Sequence, residues 1–215
     1  MQSPLYLLRD RPQTFVAFIV AVVVAITVHE FSHAAVATLE GDRTPRFQGR
    51  LTLNPVAHLD VLGSIMLVVA GFGWGKPVQF NPQQLRSRRA GAALVGLAGP
   101  ASNFLLALLS ALLLRVRFPT IESALNGGFT FTLLTTFVGL NVVLGVFNLL
   151  PLPPLDGSRL LSIVLPPQRQ GIVFFLDQYG IFILLGLLLL APTALNPFFS
   201  SIQSGIYRLV GVSYF

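Results

Sequence analysis

FVAFIVAVVVAITVHEFSHAAVAT, residues 15–38, is the stretch whose reading decides the fold. Fourteen nearly unbroken apolar residues, 15–28, run into His29, Glu30 and His33. As a helix over 14–39 the segment is ~40 Å long at ~1.5 Å per residue. That is enough to cross a hydrocarbon core of ~30 Å. Residue 29 then lies ~22 Å in from Thr14. A charge at membrane depth costs at least ~2.5 kcal/mol and needs a partner. Histidines four apart lie on one helix face, one turn from each other. Two imidazoles at that spacing can reach one tetrahedral zinc ion. Glu30, beside the first of them, can contact the attacking water without occupying the ion. A lone helical histidine is ordinarily a hydrogen-bonded core residue. The full His-Glu-x-x-His pattern at this depth instead suits a divalent cation that offsets the polar cluster and does chemistry. Zinc lowers a water's pKa toward ~7, and a carboxylate takes its proton.

The rest of the composition agrees with a membrane setting. Of 215 residues, 53% are hydrophobic and 10% charged, against about 25% charged in soluble domains. The net charge of +6 comes from thirteen Arg and one Lys set mostly between apolar runs. Topology and anionic headgroups account for it, so nucleic acid is not an expected partner. With no cysteine, disulfides, Cys–zinc sites and thiol catalysis are excluded. Ala35-Val36-Ala37 resembles a leader cleavage site, but cleavage there would remove the histidine cluster, so a leader is not expected.

Further along, 91–114, 128–150 and 171–191 read as three more long membrane helices, and 193–215 as an interfacial tail. The expected architecture is all-α and polytopic, with about four long membrane helices. It forms one integral-membrane domain over 1–215, with a core at 14–165. Arg46–Leu53, RFQGRLTL, alternates weakly and is expected to form a short β segment near the active-site side. The apolar run 61–74, VLGSIMLVVAGFGW, is too short to span comfortably. If it is re-entrant or half-spanning, nine basic residues fall on the side holding 40–90 and 151–170, against five on the other. That division agrees with the positive-inside rule. Gly71, Gly73 and Gly75 suit irregular backbone buried against protein.

Two histidines leave a catalytic zinc one protein ligand short. Asp156 lies in NLLPLPPLDG, residues 148–157, directly after an apolar helix. Pro151, Pro153 and Pro154 forbid regular helix there. With 61–74 returning to its own side, His33 and Asp156 end near one face at similar depth. With 61–74 spanning, they end on opposite faces. The bland alternative for PPLDG is a surface turn.

Taken together, HEFSH, LTLNPVAHLD, GWGKPVQFNP, LAGPASN and NLLPLPPLDG resemble the site-2 protease family of intramembrane zinc metalloproteases, most closely its short branch without a PDZ domain. The resemblance covers roughly residues 15 to 165. Val61 stands where that branch often has proline, a change of loop shape only. The resemblance implies one Zn2+ held by His29, His33 and Asp156, with Glu30 as catalytic acid/base. It implies Asn148 as a substrate-positioning residue. It also implies cleavage of transmembrane segments of other proteins, at a prokaryotic cell membrane, with the site toward the basic, cytoplasmic side. Asn103 is expected to be a helix-packing amide, Gly96 and Gly99 close-packing sites, and Lys76 a membrane-surface anchor. His58 and Asp60 are left between an interfacial turn, a contact to one of the metal-binding side chains, a gate near the site and a fourth, inhibitory ligand. The rival readings are a metal-ion transporter or channel subunit, against which no internal repeat is present, and an inactive scaffold, against which the His-Glu-His-Asp set is complete.

Overall fold

A computed structural model describes residues 4–70, 73–165, 167–190, 193–194 and 196–212. Its helices are α1 (Pro4–Asp10), α2 (Pro12–Leu39), α3 (Thr44–Phe47), α4 (Val61–Ala70), α5 (Arg89–Arg117), α6 (Ile121–Leu125), α7 (Gly128–Asn148), α8 (Leu161–Val164), α9 (Gln170–Leu190) and α10 (Asn196–Leu209). The helices α2, α5 and α7 pack mutually and form the core.

α2 is apolar on every side, so residue size rather than polarity marks its inward face. Ala17, Ala21, Ala25, His29, His33 and Ala37 are all buried and recur every four residues. They form one ridge of small side chains, with the two imidazoles as its large members. On α5 the buried set is again small, including Gly96, Gly99, Asn103, Ala107 and Ala111. Leu105, Leu109, Leu113 and Val116 of the same helix are exposed. Small residues inside and large apolar ones outside is the arrangement lipid favours, because helix contact there depends on close approach rather than on hiding apolar surface from water. The end of the bundle away from the histidines is closed by α10, whose Tyr207 packs with Ala107, Ala111, Leu114, Val138 and Val142.

Among the described residues three helices, α2, α5 and α7, are long and apolar enough to cross a membrane. The protein is accordingly an integral membrane protein. The fourth long span expected at 171–191 coincides with the apolar helix α9 (Gln170–Leu190), while the described residues give three candidate spans rather than four.

The 61–74 run turns back on itself. Asp60 Oδ1 accepts from Gly63 N at 2.8 Å and starts α4. At ten residues α4 is only ~15 Å long. The chain then returns to its point of departure, where Gly75 pairs antiparallel with Leu59 and Lys76 N donates to His58 O at 2.7 Å. The return is possible because the facing positions lack side chains. A Cβ on Gly63 would lie 2.2 Å from Trp74 O, and one on Gly73 would lie 2.1 Å from Gly63 O. Gly71 lies outside the described residues.

The short strand expected over 46–53 is not formed. Pro45 lies in the first positions of a single helical turn that begins at Thr44, Gly49 closes it at φ 68°, and Arg50 N bonds back to Pro45 O at 2.9 Å. Turn chemistry outweighs the weak alternation. Among the described residues the strand-like pairing is limited to the Leu59–Gly75 bridge.

Candidate metal centre

Three segments distant in sequence meet at one point. The ridge of α2 brings His29 and His33 to the inner surface of the bundle. The non-helical run after α7 brings Asp156 to the same place. His29 Nε2 and His33 Nε2 are 3.0 Å apart. Asp156 Oδ2 is 3.0 Å from the first and 3.1 Å from the second. Both histidines are buried.

The far side of each ring decides what the near side can do. His33 Nδ1 lies 2.6 Å from Val95 O, a carbonyl that can only accept. His29 Nδ1 lies 2.6 Å from Asn103 Oδ1. Asn103 Nδ2 donates to Asn141 Oδ1 at 2.9 Å, and Asn141 Nδ2 donates to Phe137 O at 2.9 Å. This relay ends on a backbone carbonyl, so each amide presents oxygen toward the histidine. Both Nδ1 atoms therefore carry hydrogen and donate it. In the neutral rings both Nε2 atoms then present lone pairs toward each other and a carboxylate oxygen. Two such nitrogens and a carboxylate oxygen at that separation form a donor set suited to a shared cation. Tetrahedral ligands around zinc lie ~3.3 Å apart at metal–nitrogen distances of ~2.0–2.1 Å, so the donor set fits such an ion.

The fourth wall is glycine. A Cβ on Gly99 of α5 would lie 2.4 Å from His33 Nε2 and 2.5 Å from His29 Nε2. Gly96, one turn away, lets the Asp156 segment approach: its Cβ would lie 2.9 Å from Asp156 O. Gly157 admits the sharp turn after the aspartate, since a Cβ there would meet Leu149 O at 2.2 Å.

Glu30 follows His29 and is half-buried. Its Oε2 accepts from Val78 N at 3.0 Å. Val78 lies on a strap, residues 75–80, laid across α2 by the returning hairpin. The strap is pinned by Arg50, a buried side chain whose guanidinium donates to Ala57 O, to Lys76 O at 3.2 Å and to Pro77 O at 3.2 Å. Buried Asp42 holds the strap's far end by accepting from Asn81 N at 2.5 Å.

The structure thus brings His29, His33 and Asp156 together and sets the other named residues around them. Asn148 is half-buried and donates to Leu144 O of its own helix at 3.0 Å. His58 is fully buried, with Nε2 2.7 Å from Thr52 O. Neither His58 nor Asp60 belongs to the three-ligand group. Asn103 departs from expectation: its amide orients a candidate ligand as well as joining helices. Arg50 and Asp42 escape a sequence reading, because a charged loop residue ordinarily marks a solvated flank and its burial is a tertiary event. Lys76 is exposed.

Residues 17–132 and 113–190 match the family model described as Peptidase family M50. The chain is 38% identical over 196 residues to "Putative zinc metalloprotease YwhC" of Bacillus subtilis (strain 168), an alignment covering 89% of each protein. It is 35% identical over 206 residues to "Putative zinc metalloprotease Rip2" of Mycobacterium tuberculosis (strain ATCC 25618 / H37Rv), covering 93% of this chain and 76% of the relative. It is 33% identical over 214 residues to the protein of the same name in Mycolicibacterium smegmatis (strain ATCC 700084 / mc(2)155), covering 94% and 79%. No solved structure matches the chain significantly. With the family match running through all three core helices and past Asp156, the chain belongs to peptidase family M50, the site-2 protease family.

Proposed function

We propose that the protein is a zinc endopeptidase that hydrolyses peptide bonds within transmembrane segments of other proteins. In this reading His29, His33 and Asp156 hold the ion, Glu30 is the general base and acid, and the site opens toward the basic, cytoplasmic side. The observation that carries it is the convergence of two imidazole nitrogens and a carboxylate on a helix that also bears Glu30.

Zinc, when bound, supplies a Lewis acid that polarises the scissile carbonyl and acidifies a water. The chain's own groups do the rest. Val78 N–H holds one oxygen of Glu30. The other takes the proton of the attacking water and returns it to the departing amide nitrogen. Asn103 and Val95 O keep both imidazoles in the tautomer that offers Nε2. A helical peptide bond is covered by its own hydrogen bonds, so the substrate must unwind locally. Asn148, at the end of α7, is assigned to hold the unwound backbone, which it can do by exchanging its bond to Leu144 O.

The test is reconstitution in vesicles with a single-span substrate. Cleavage is expected to stop on chelation and to return with zinc. Glu30→Gln is expected to lower kcat by at least ~100-fold while zinc still binds. A Glu30→Gln protein that cuts at the normal rate ends the mechanism. Zinc uptake into those vesicles, unchanged by Glu30→Gln, indicates transport instead.

A further inference from the structure

The strap and the proline-rich run each have a second side. Val78 is buried and turns its N–H to Glu30. Its neighbours Pro77 and Gln79 are exposed and line a cleft of about 980 Å³. Asp156 faces the histidines, while Pro154, Ser158 and Arg159 line that same cleft. The cleft is therefore the opposite face of the two segments that carry the candidate acid/base's partner and the third ligand. Its volume is at the upper end for ligand pockets and accommodates several residues of an extended peptide. A peptide held across the site must continue past the scissile bond, and this space lies behind the two segments that bound the site.

The lining is basic. Arg88 and Arg89 enter at the start of α5 and Arg159 from the turn after Asp156, while Asp177 of α9 supplies the carboxylate among the described lining residues. The Arg159 guanidinium stacks 4.5 Å above the Phe80 ring, which fixes its direction. Arg88 has φ 41°, a backbone state that a residue with a side chain adopts under strain. A concave wall concentrates the field of these charges. Each guanidinium can donate two parallel hydrogen bonds to one carboxylate.

Membrane spans ordinarily carry Lys and Arg at their cytoplasmic flank. In this cleft such a flank meets like charge. We propose that the cleft receives the substrate stretch adjoining the scissile bond and selects acidic side chains there, with Arg88 and Arg89 donating to their carboxylates and Arg159 adding to the positive field. Selection works as much by rejecting basic flanks as by binding acidic ones. A lipid phosphate offers similar chemistry. The peptide is favoured because the cleft is walled by the chain neighbours of Val78 and Asp156, namely Pro77, Gln79, Pro154 and Ser158. The assignment rests on the peptidase reading above.

The experiment measures binding, so that it stands apart from cleavage. Full-length Glu30→Gln protein in phosphatidylcholine vesicles is titrated with three fluorescent single-span peptides. They differ only in a flank of Asp/Glu, Gly/Ser or Lys/Arg. The acidic peptide is expected to bind about tenfold more tightly than the basic one. Adding Arg88→Glu and Arg89→Glu is expected to reverse the order, with the Gly/Ser peptide bound equally by both proteins. If the reversed-charge protein fails to bind the Gly/Ser peptide, Arg88→Gln with Arg89→Gln replaces it and is expected to level the three affinities. Affinities independent of the flank, or a ranking unchanged by the substitutions, overturn the proposal. So does a result in which the substitutions alter binding of phosphatidylglycerol vesicles and leave the peptide ranking untouched, because a headgroup then occupies the cleft. A charge-dependent ranking with no peptide cut by the unsubstituted protein removes the peptidase reading and leaves only the preference of the cleft for acidic peptide.

Discussion

Replacing Gly99 with alanine adds one methyl group at the most crowded point of the candidate metal centre. The new Cβ would sit 2.4 Å from His33 Nε2 and 2.5 Å from both Cε1 and Nε2 of His29. Optimal contact for such atoms is ~3.5 Å, so each pair overlaps by about 1 Å. The rings have little freedom to retreat, because their Nδ1 atoms are tied at 2.6 Å to Asn103 Oδ1 and to Val95 O, both on α5 itself. Relief requires α5 to move away from α2. Overfilling a packed core costs ~1–3 kcal/mol. The same displacement spreads the ligands, and disturbing the support of metal ligands typically weakens affinity ~10–100-fold. The two figures agree in size, since ~1.4 kcal/mol is one decade. The assay is zinc affinity by competition with a chromogenic chelator on detergent-solubilised protein, with helix content followed by circular dichroism. Gly139→Ala is the control. It also lies mid-helix, but its nearest neighbour would be Gln203 Nε2 at 3.8 Å, so zinc affinity should not change. A folded Gly99→Ala protein that binds zinc within about twofold of the original would refute the reasoning, because a separation of that size cannot survive unrelieved.

Three other substitutions probe the surroundings. Asn103→Leu removes the acceptor from His29 Nδ1 and the donor to Asn141; zinc affinity should fall ~10–100-fold, read by the same competition titration. Arg50→Met strips three carbonyls of their buried donor, each worth ~1–3 kcal/mol when left unpaired. Limited proteolysis within 75–83 should accelerate and cleavage of substrate should slow, with zinc affinity held. Asn148→Leu gives up a bond within its own helix and should leave zinc affinity and thermal stability within ~0.5 kcal/mol of the original, while kcat/KM falls. An unchanged kcat/KM removes Asn148 from substrate binding.

Much of the site is legible because helix periodicity is a strong code. The four-residue interval between His29 and His33 is enough by itself to put both rings on one helix face, and the prolines before Asp156 announce non-helical backbone. The shortness of 61–74 likewise foretells a chain that turns back. What escapes depends on partners far away in sequence. An asparagine inside an apolar helix needs some hydrogen bond, and nothing local says that Asn103 meets a histidine ring rather than another amide. Arg50 reads as one more basic flank residue, because only the return of 75–78 brings up two of the three carbonyls it binds. The strand expected at 46–53 fails for a local reason that the alternation hides: Pro45 and Gly49 bracket a single closed turn. In α2 the polarity signal is silent, and the inward side is written in side-chain size.

The every-fourth-residue ridge of α2 has one more consequence. Its rungs are the surface by which α2 grips α5, and two of those rungs are the imidazoles. The ion and the bundle are therefore not independent cargo and container. Sliding or rotating α2 by a single residue would scatter the donors, and a captured dication resists that slippage. The cation acts as a rivet, so loading and tertiary closure should rise and fall together along any denaturation curve.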